Sequence, residues 1–254
     1  MNQGKLKALE VVLFDLGNTL IYFDAEDQLD QVLRQADQAL FKRLLEQGYR
    51  LDTDFLIDFR RRMDLYYQER EVEFIEYTTR YVLRNLLEEK GLLVNEATLI
   101  DSLHAYHCVT QSHWQLETDA IPTLQRLASH GYQLGLVSNA ADDADVQNLV
   151  DQAGLRSFFQ VILTSAAEGI RKPDPHIFWR ALEKLESQPG QAAMVGDTLG
   201  ADILGSKNAG LFSVWITRRA NTPQNKAHWD TIIPDAVIDH IHQLPELLAE
   251  RFPF

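Results

Sequence analysis

A chain of 254 residues, 45% hydrophobic and 24% charged, has the composition of a folded protein and room for one large domain or a core carrying a smaller insert. Its formal net charge of −13 and pI near 5.0 argue against a broad basic surface for nucleic acid or anionic lipid. A small anion held in one cleft by a metal ion and a few local cations remains compatible with that charge.

Cys108 is the only cysteine, so no internal disulfide and no cysteine metal cluster can form, which fits a reducing cytoplasm. The opening MNQGKLKALE lacks the apolar stretch of a signal peptide, and nowhere do 18 apolar residues run together, so no membrane span is expected.

In chain order, Val11 to Phe14 is a short apolar run of the kind that forms a buried strand. More than 100 residues without a convincing strand follow, and they read as helices over Asp27 to Gln47, Asp52 to Arg70, Glu73 to Lys90 and Glu96 to His113. Apolar residues recur there three and four positions apart, as in Val32, Leu33, Ala36, Leu40 and Leu44. Gly48 and Gly91 stand where helices should end. A helix over Ile121 to His130 then leads to further strands at Leu134 to Val137, Val161 to Leu163 and Ala192 to Val195, with helical patterns between them. Ser213 to Ile216 and Ala236 to Ile238 add strands, and Leu244 to Glu250 closes as a helix. This predicts an α/β fold: a Rossmann-like parallel sheet with helices on both faces, interrupted early by an all-helical insert. The expected core covers residues 1–22 and 116–254, and the expected insert residues 23–115.

Ligands of open parallel sheets gather beyond the carboxyl ends of the strands. There the sequence places Asp15-Leu16-Gly17-Asn18-Thr19, then Ser138-Asn139, then Arg171-Lys172-Pro173, and finally Gly196-Asp197 running through Asp202 to Gly210. Two carboxylates at neighbouring strand ends can hold a hard divalent cation. A hydroxyl and an ammonium nearby supply donors for phosphoryl oxygens. A carboxylate not wholly neutralised can attack phosphorus.

The order Asp15…Ser138…Lys172-Pro173…Gly196-Asp197…Asp202 resembles the four motifs of the haloacid-dehalogenase-like superfamily, over residues 10 to 216. The helical insert stands where that family's first type of cap domain stands. The resemblance implies hydrolysis of a small phosphorylated metabolite with Mg²⁺ as cofactor. It implies Asp15 as nucleophile and metal ligand, Asp197 as the second carboxylate, and the Gly17 carbonyl as a third ligand. Ser138 would bind the phosphoryl group, Asn139 would help fix the loop or, as the alternative, meet substrate, Lys172 would offset charge on the nucleophile and transition state, and Asp202 would orient the metal's water shell.

Phosphatases of the family usually carry a second aspartate two residues after the nucleophile; here that position is Gly17. General acid–base catalysis typically contributes ~10²–10⁴-fold. Three readings follow: a phosphatase whose acid–base group lies elsewhere, with Asp24 and Glu26 the nearest acidic candidates; a metal- and phosphate-binding pseudo-enzyme or regulatory protein; or a 2-haloacid dehalogenase, whose relatives also lack an acid at that position. The Asp197 and Asp202 pair is of the phosphatase type. In the insert, Arg60-Arg61-Arg62, Arg80 and Arg84 read as a solvated, ion-paired face, and Tyr66, Tyr67, Phe74, Tyr77 and Tyr81 as packing. Trp114, Trp179, Trp215 and Trp229 also read as packing, and His240-x-His242 as structural. Arg218-Arg219 could steer an anion or be plain surface charge.

Overall fold

The computed structural model describes residues 8–73 and 76–253, with the backbone alone at 71–73. Phe74 and the first seven residues lie outside the described residues.

Six strands form one parallel sheet: β1 (Val11–Phe14), β4 (Gln133–Ser138), β5 (Val161–Thr164), β6 (Ala192–Gly196), β7 (Phe212–Ile216) and β8 (Ala236–Ile238). Their order across the sheet is β5-β4-β1-β6-β7-β8. All of the expected sheet strands are present. Because side chains alternate along a strand, β1 divides its apolar residues between two cores. Val12 and Phe14 join the cluster that includes Leu134, Leu136, Val195 and Val214 on one face. Val11 and Leu13 join Val137, Leu163 and Met194 on the other.

Helices cover both faces. The first core takes in α5 (Ala120–Ser129), α6 (Asp143–Gln152) and α11 (Leu244–Arg251), through Leu124, Val150 and Leu248 among others. The second takes in α8 (Pro175–Lys184) and α9 (Leu204–Ala209), through Phe178 and Ala209. The short helices α7 (Ser165–Glu168) and α10 (Pro223–Lys226) lie in loops at the carboxyl ends of the strands.

Between β1 and β4 the chain runs through α1 (Leu29–Glu46), α2 (Asp54–Glu73), α3 (Thr79–Glu89) and α4 (Glu96–Gln111). Their inward stripes build a hydrophobic core of their own, with Ala36, Leu40 and Leu44 against Phe55, Phe59, Met63, Leu83, Leu87, Leu99 and Leu103. Gly48 and Gly91 do follow helix ends, both with positive φ (90° and 75°).

Two expectations need correction. The stretch between the first two sheet strands is not strand-free: β2 (Ile21–Phe23) and β3 (Trp114–Leu116) pair antiparallel as a separate ribbon, straddling both expected insert boundaries. Three residues are too few to show a period of two, so the pattern was silent. The helix expected over Glu73 to Lys90 starts only at Thr79, where the Thr78 hydroxyl caps it by accepting from Tyr81 N (3.1 Å).

Candidate active site

β1 delivers Asp15 to the carboxyl edge of the sheet, where Asp15 N donates to Val195 O of β6 (2.9 Å). A tight turn follows. The Leu16 carbonyl accepts from Leu20 N and Ile21 N (2.9 and 3.1 Å), and Asn18 takes a left-handed φ of 56°. Asparagine tolerates that conformation better than most side chains. β6 delivers Asp197 from the neighbouring position. Gly196 before it is required, because a Cβ there would overlap the Asp202 carboxyl group. The Asp197 carbonyl is pinned by Trp215 Nε1 (2.8 Å) and Asn225 Nδ2 (2.9 Å).

Lys172 reaches the same place from the loop after β5. Its Nζ donates to Asp15 Oδ1 (2.6 Å), Asp202 Oδ1 (2.6 Å) and Val137 O (2.7 Å). Lys172, Asp197 and Asp202 are 2%, 4% and 1% exposed. A lysine with three short acceptors and almost no water has a fixed ammonium, unlike a surface cation. Asp202 also accepts from Thr198 N (2.9 Å), so it ties the lysine to the loop bearing Asp197.

Carboxylate oxygens of Asp15, Asp197 and Asp202 lie within 4.8 Å of one another. Burial drives the Asp15 carboxyl above its usual range; Lys172 opposes this and Asp202 adds to it. Asp197 is pushed well above its usual value by burial, then by repulsion from Asp202 and Asp15. Lys172 is raised despite burial, because Asp15 and Asp202 hold the ammonium. Three carboxylates against one ammonium leave two negative charges in a dry place. A divalent cation with oxygen ligands at ~2.1 Å fits that deficit and needs only a small inward movement of the oxygens. Asn18, in the turn after Asp15, borders the same cleft, and its Oδ1 is buried without a hydrogen-bond partner, which also suits a bound polar group.

A cavity of about 660 Å³ opens from Asp15. Gly17, Ser138 and Asn139 border it; Lys172, Asp197 and Asp202 are not on its wall and lie deeper, against Asp15. Asn139 is committed elsewhere: its amide group donates to Lys172 O (2.9 Å) and accepts from Lys172 N (2.8 Å), clamping the lysine loop. Of the two acidic candidates, Glu26 borders the cavity. Asp24 does not; it faces His113 Nδ1 (3.3 Å) and accepts from Gln115 Nε2 (3.2 Å). The space next to Gly17 is taken by Trp114 of β3, whose ring would stand 3.4 Å from a Cβ placed there.

Sequence reasoning passed over several cavity residues. Trp114 read as packing yet covers Gly17, and Tyr67 was counted as core yet borders the cavity. Arg70, His107, Asp142 and Asp145 border it too. No motif marks the helical residues, although the Asp-rich run directly after Ser138-Asn139 was a usable signal.

The other candidates fall outside the cavity. Arg60 pairs with buried Asp37, Arg61 with Asp58, and Arg62 with Glu89, three different directions. Arg80 and Arg84 both pair with Glu96, and Tyr77 stacks on Tyr81. Arg218 and Arg219 pair with buried Glu117, and Arg219 also lies over Tyr22. His242 Nδ1 meets Asp119 (3.0 Å), while His240 faces Arg218 and caps a 3-10 turn. Trp179 and Trp229 are half-exposed.

The parallel order of the sheet, the buried aspartate–lysine cluster at its carboxyl edge and the insert after the first strand define a class of hydrolase. The sequence profile of the haloacid dehalogenase-like hydrolases matches residues 9–210, and the chain belongs to that family. Among its relatives is a glyceraldehyde 3-phosphate phosphatase of Methanopyrus kandleri, 29% identical over 95% of this chain and 98% of the relative. A 2-haloacid dehalogenase of Pseudomonas syringae pv. Tomato DC3000 superposes with a TM-score of 0.69 at 28% identity, covering 96% of this chain and 99% of that one. A HAD phosphatase of Thermococcus onnurineus does so with a TM-score of 0.63 at 26% identity, covering 94% and 98%. Among the described residues, no helix is long and apolar enough to cross a membrane.

Proposed function

We propose that the chain is a Mg²⁺-dependent phosphomonoesterase acting on a small phosphorylated metabolite in the cytoplasm, with Asp15 as nucleophile. The observation that carries this reading is the buried Asp15–Lys172–Asp202 network with Asp197 in the same cluster. The Methanopyrus relative, whose name gives it a triose phosphate, supports the substrate size.

In this reading residues 1–22 and 116–254 form the catalytic core and residues 23–115 a cap. An Asp15 oxygen attacks phosphorus, the bond to the leaving oxygen breaks, and Asp15 carries the phosphoryl group until water displaces it. Lys172 holds Asp15 in place and offsets charge as it develops, while Ser138 donates to a phosphoryl oxygen. Asp202 fixes Lys172 and the Asp197 loop, and Asn139 fixes the Lys172 loop and thereby acts on substrate indirectly. The Asp15 and Asp197 carboxylates and the Gly17 carbonyl would hold the metal ion. When bound, that ion supplies positive charge to the transferring phosphoryl oxygens. With no carboxyl at position 17, turnover favours leaving groups that depart as stable anions, and of the nearest acidic candidates Glu26, unlike Asp24, borders the cavity and is the one placed to act as the acid for the others.

The test is hydrolysis of p-nitrophenyl phosphate and a sugar-phosphate panel with and without Mg²⁺. Turnover abolished by chelator and by Asp15→Asn supports the reading. Metal-dependent phosphate binding without turnover points instead to a regulatory pseudo-enzyme. The likeness to the Pseudomonas dehalogenase and the missing acid at Gly17 favour a second reading, metal-free release of halide from a 2-haloacid. The buried Asp197 weighs against it, and a halide-release assay decides.

A further inference from the structure

The cavity that starts at Asp15 also meets a polar cluster that phosphoryl transfer does not use. His107, on α4, is 8% exposed and faces two carboxylates at the start of α6. Its Nδ1 lies 3.5 Å from Asp145 Oδ2 and its Nε2 3.8 Å from Asp142 Oδ2. Nε2 is buried yet has no hydrogen-bond partner, a costly state unless a ligand completes it. The carboxylates are held from the protein side: Asp145 accepts from Gln111 Nε2 (2.8 Å) and Asp142 caps α6 by accepting from Asp145 N (3.2 Å). All three side chains belong to residues that border the cavity, as do Thr110 on α4 and Arg70 and Tyr67 on α2. Arg70 points to Glu76 (3.4 Å) and lies over the Tyr67 ring.

We propose that His107, Asp142 and Asp145 form a recognition pole for hydroxyl groups on the leaving group, so that the enzyme selects uncharged polyol or sugar phosphates over carboxylated ones. This rests on the phosphomonoesterase reading above. Asp142 is four residues beyond Ser138, so its Cα lies no more than about 14 Å from that of the phosphoryl-binding serine. A small metabolite held at Asp15 by its phosphate reaches that far. Carboxylates only accept hydrogen bonds, an imidazolium only donates, and a hydroxyl satisfies both at once. A substrate carboxylate would instead bring a third negative charge against Asp142 and Asp145, with the His107 imidazolium to offset it, since the Arg70 guanidinium on the same wall already faces Glu76. The His107–Asp142 contact favours the charged forms of both, whereas burial pushes the Asp145 carboxyl up against the pull of His107 and Gln111. Burial works against the His107 imidazolium, but the contact with Asp142 and the charge of Asp145 win and raise it above the ordinary histidine value. Asp142 is lowered despite burial because His107 faces it.

The experiment compares kcat/KM of the full-length protein with Mg²⁺ for sorbitol 6-phosphate and glucose 6-phosphate against 2-phosphoglycolate and 3-phosphoglycerate, with p-nitrophenyl phosphate as reference. The expected result is a preference for the hydroxylated esters of about tenfold or more, the size of one hydrogen bond to a charged group. His107→Gln and Asp145→Asn each compress that preference, mainly through KM; two variants on different elements guard against one failing to fold. Hydrolysis of the aryl ester together with a preference for carboxylated substrates overturns the recognition pole and leaves the phosphatase intact. So does a preference unchanged in both variants. No turnover of any phosphomonoester removes both readings.

Discussion

Placing an aspartate at position 17 tests why this site does without the usual second carboxyl. A Cβ on Gly17 would stand 3.4 Å from Trp114 Cη2 and 3.6 Å from Cζ3, in van der Waals contact with the indole. The carboxyl carbon adds ~1.5 Å beyond that Cβ, so an acid aimed along this line meets the indole. Gly17→Asp in that rotamer has to displace Trp114, and overpacking of this kind costs ~1–3 kcal/mol. The expected outcome is a lower melting temperature and no gain in turnover of alkyl phosphates. Gly17→Asp combined with Trp114→Ala opens the space, and the restored acid then raises alkyl phosphate turnover over Trp114→Ala alone by up to the ~10²–10⁴-fold typical of general acid–base catalysis. Aryl phosphates, whose leaving groups need little protonation, gain much less. Steady-state rates for both ester types in all four proteins check this. A hundredfold gain from Gly17→Asp alone, at unchanged stability, would refute the steric argument. No gain in the double variant would show that the proton comes from another group.

Three further outcomes are expected. Lys172→Met leaves Asp15 and Asp202 facing each other without their cation, so activity is lost and urea titration at neutral pH shows destabilisation of ~3–5 kcal/mol; near-wild-type stability would contradict the buried network. Mg²⁺ at ~100 times its Kd stabilises the protein by ~2.7 kcal/mol, read as a melting shift that Asp197→Asn reduces or removes; an equal shift in the variant moves the ion elsewhere. His107 has a raised pKa when folded, so its contribution is complete below the unfolded value near 6.5 and is lost as pH rises through the folded one. Asp142 is lowered, so its share persists above 3.8 and is lost as pH falls through its folded value. The stability difference between wild type and His107→Gln should then shrink as pH is raised above about 6.5; a difference that grows there contradicts the ion pair.

The sheet was legible because buried parallel strands are short unbroken apolar runs, and the residues after them are the ones the fold gathers at one edge. Asp15, Lys172, Asp197 and Asp202 were found that way, although they are separated by up to 187 positions, from 15 to 202. Two other kinds of residue were not. Trp114 sits on a strand too short to carry a pattern, and its relation to Gly17 depends on pairing across the whole insert. His107 lies on a helix whose apolar period absorbs attention, and its partners Asp142 and Asp145 belong to another element. Asn139 was legible as a loop-fixing turn residue only in kind; its bonds to the Lys172 backbone required the loop geometry.

The pairing of Phe23 with Trp114 means that the excursion of about ninety residues leaves and rejoins at one spot, two chains ~5 Å apart. A tight turn could join them there and keep the register of the main sheet. Such a joint would let the helical stretch be exchanged as a cassette while the sheet, with its aspartate–lysine cluster, stays unaltered. Ile21, Trp114 and Leu116 of that ribbon all pack on the main core, and the indole lies beside Gly17, so an exchanged stretch would have to bring its own neighbour for that glycine.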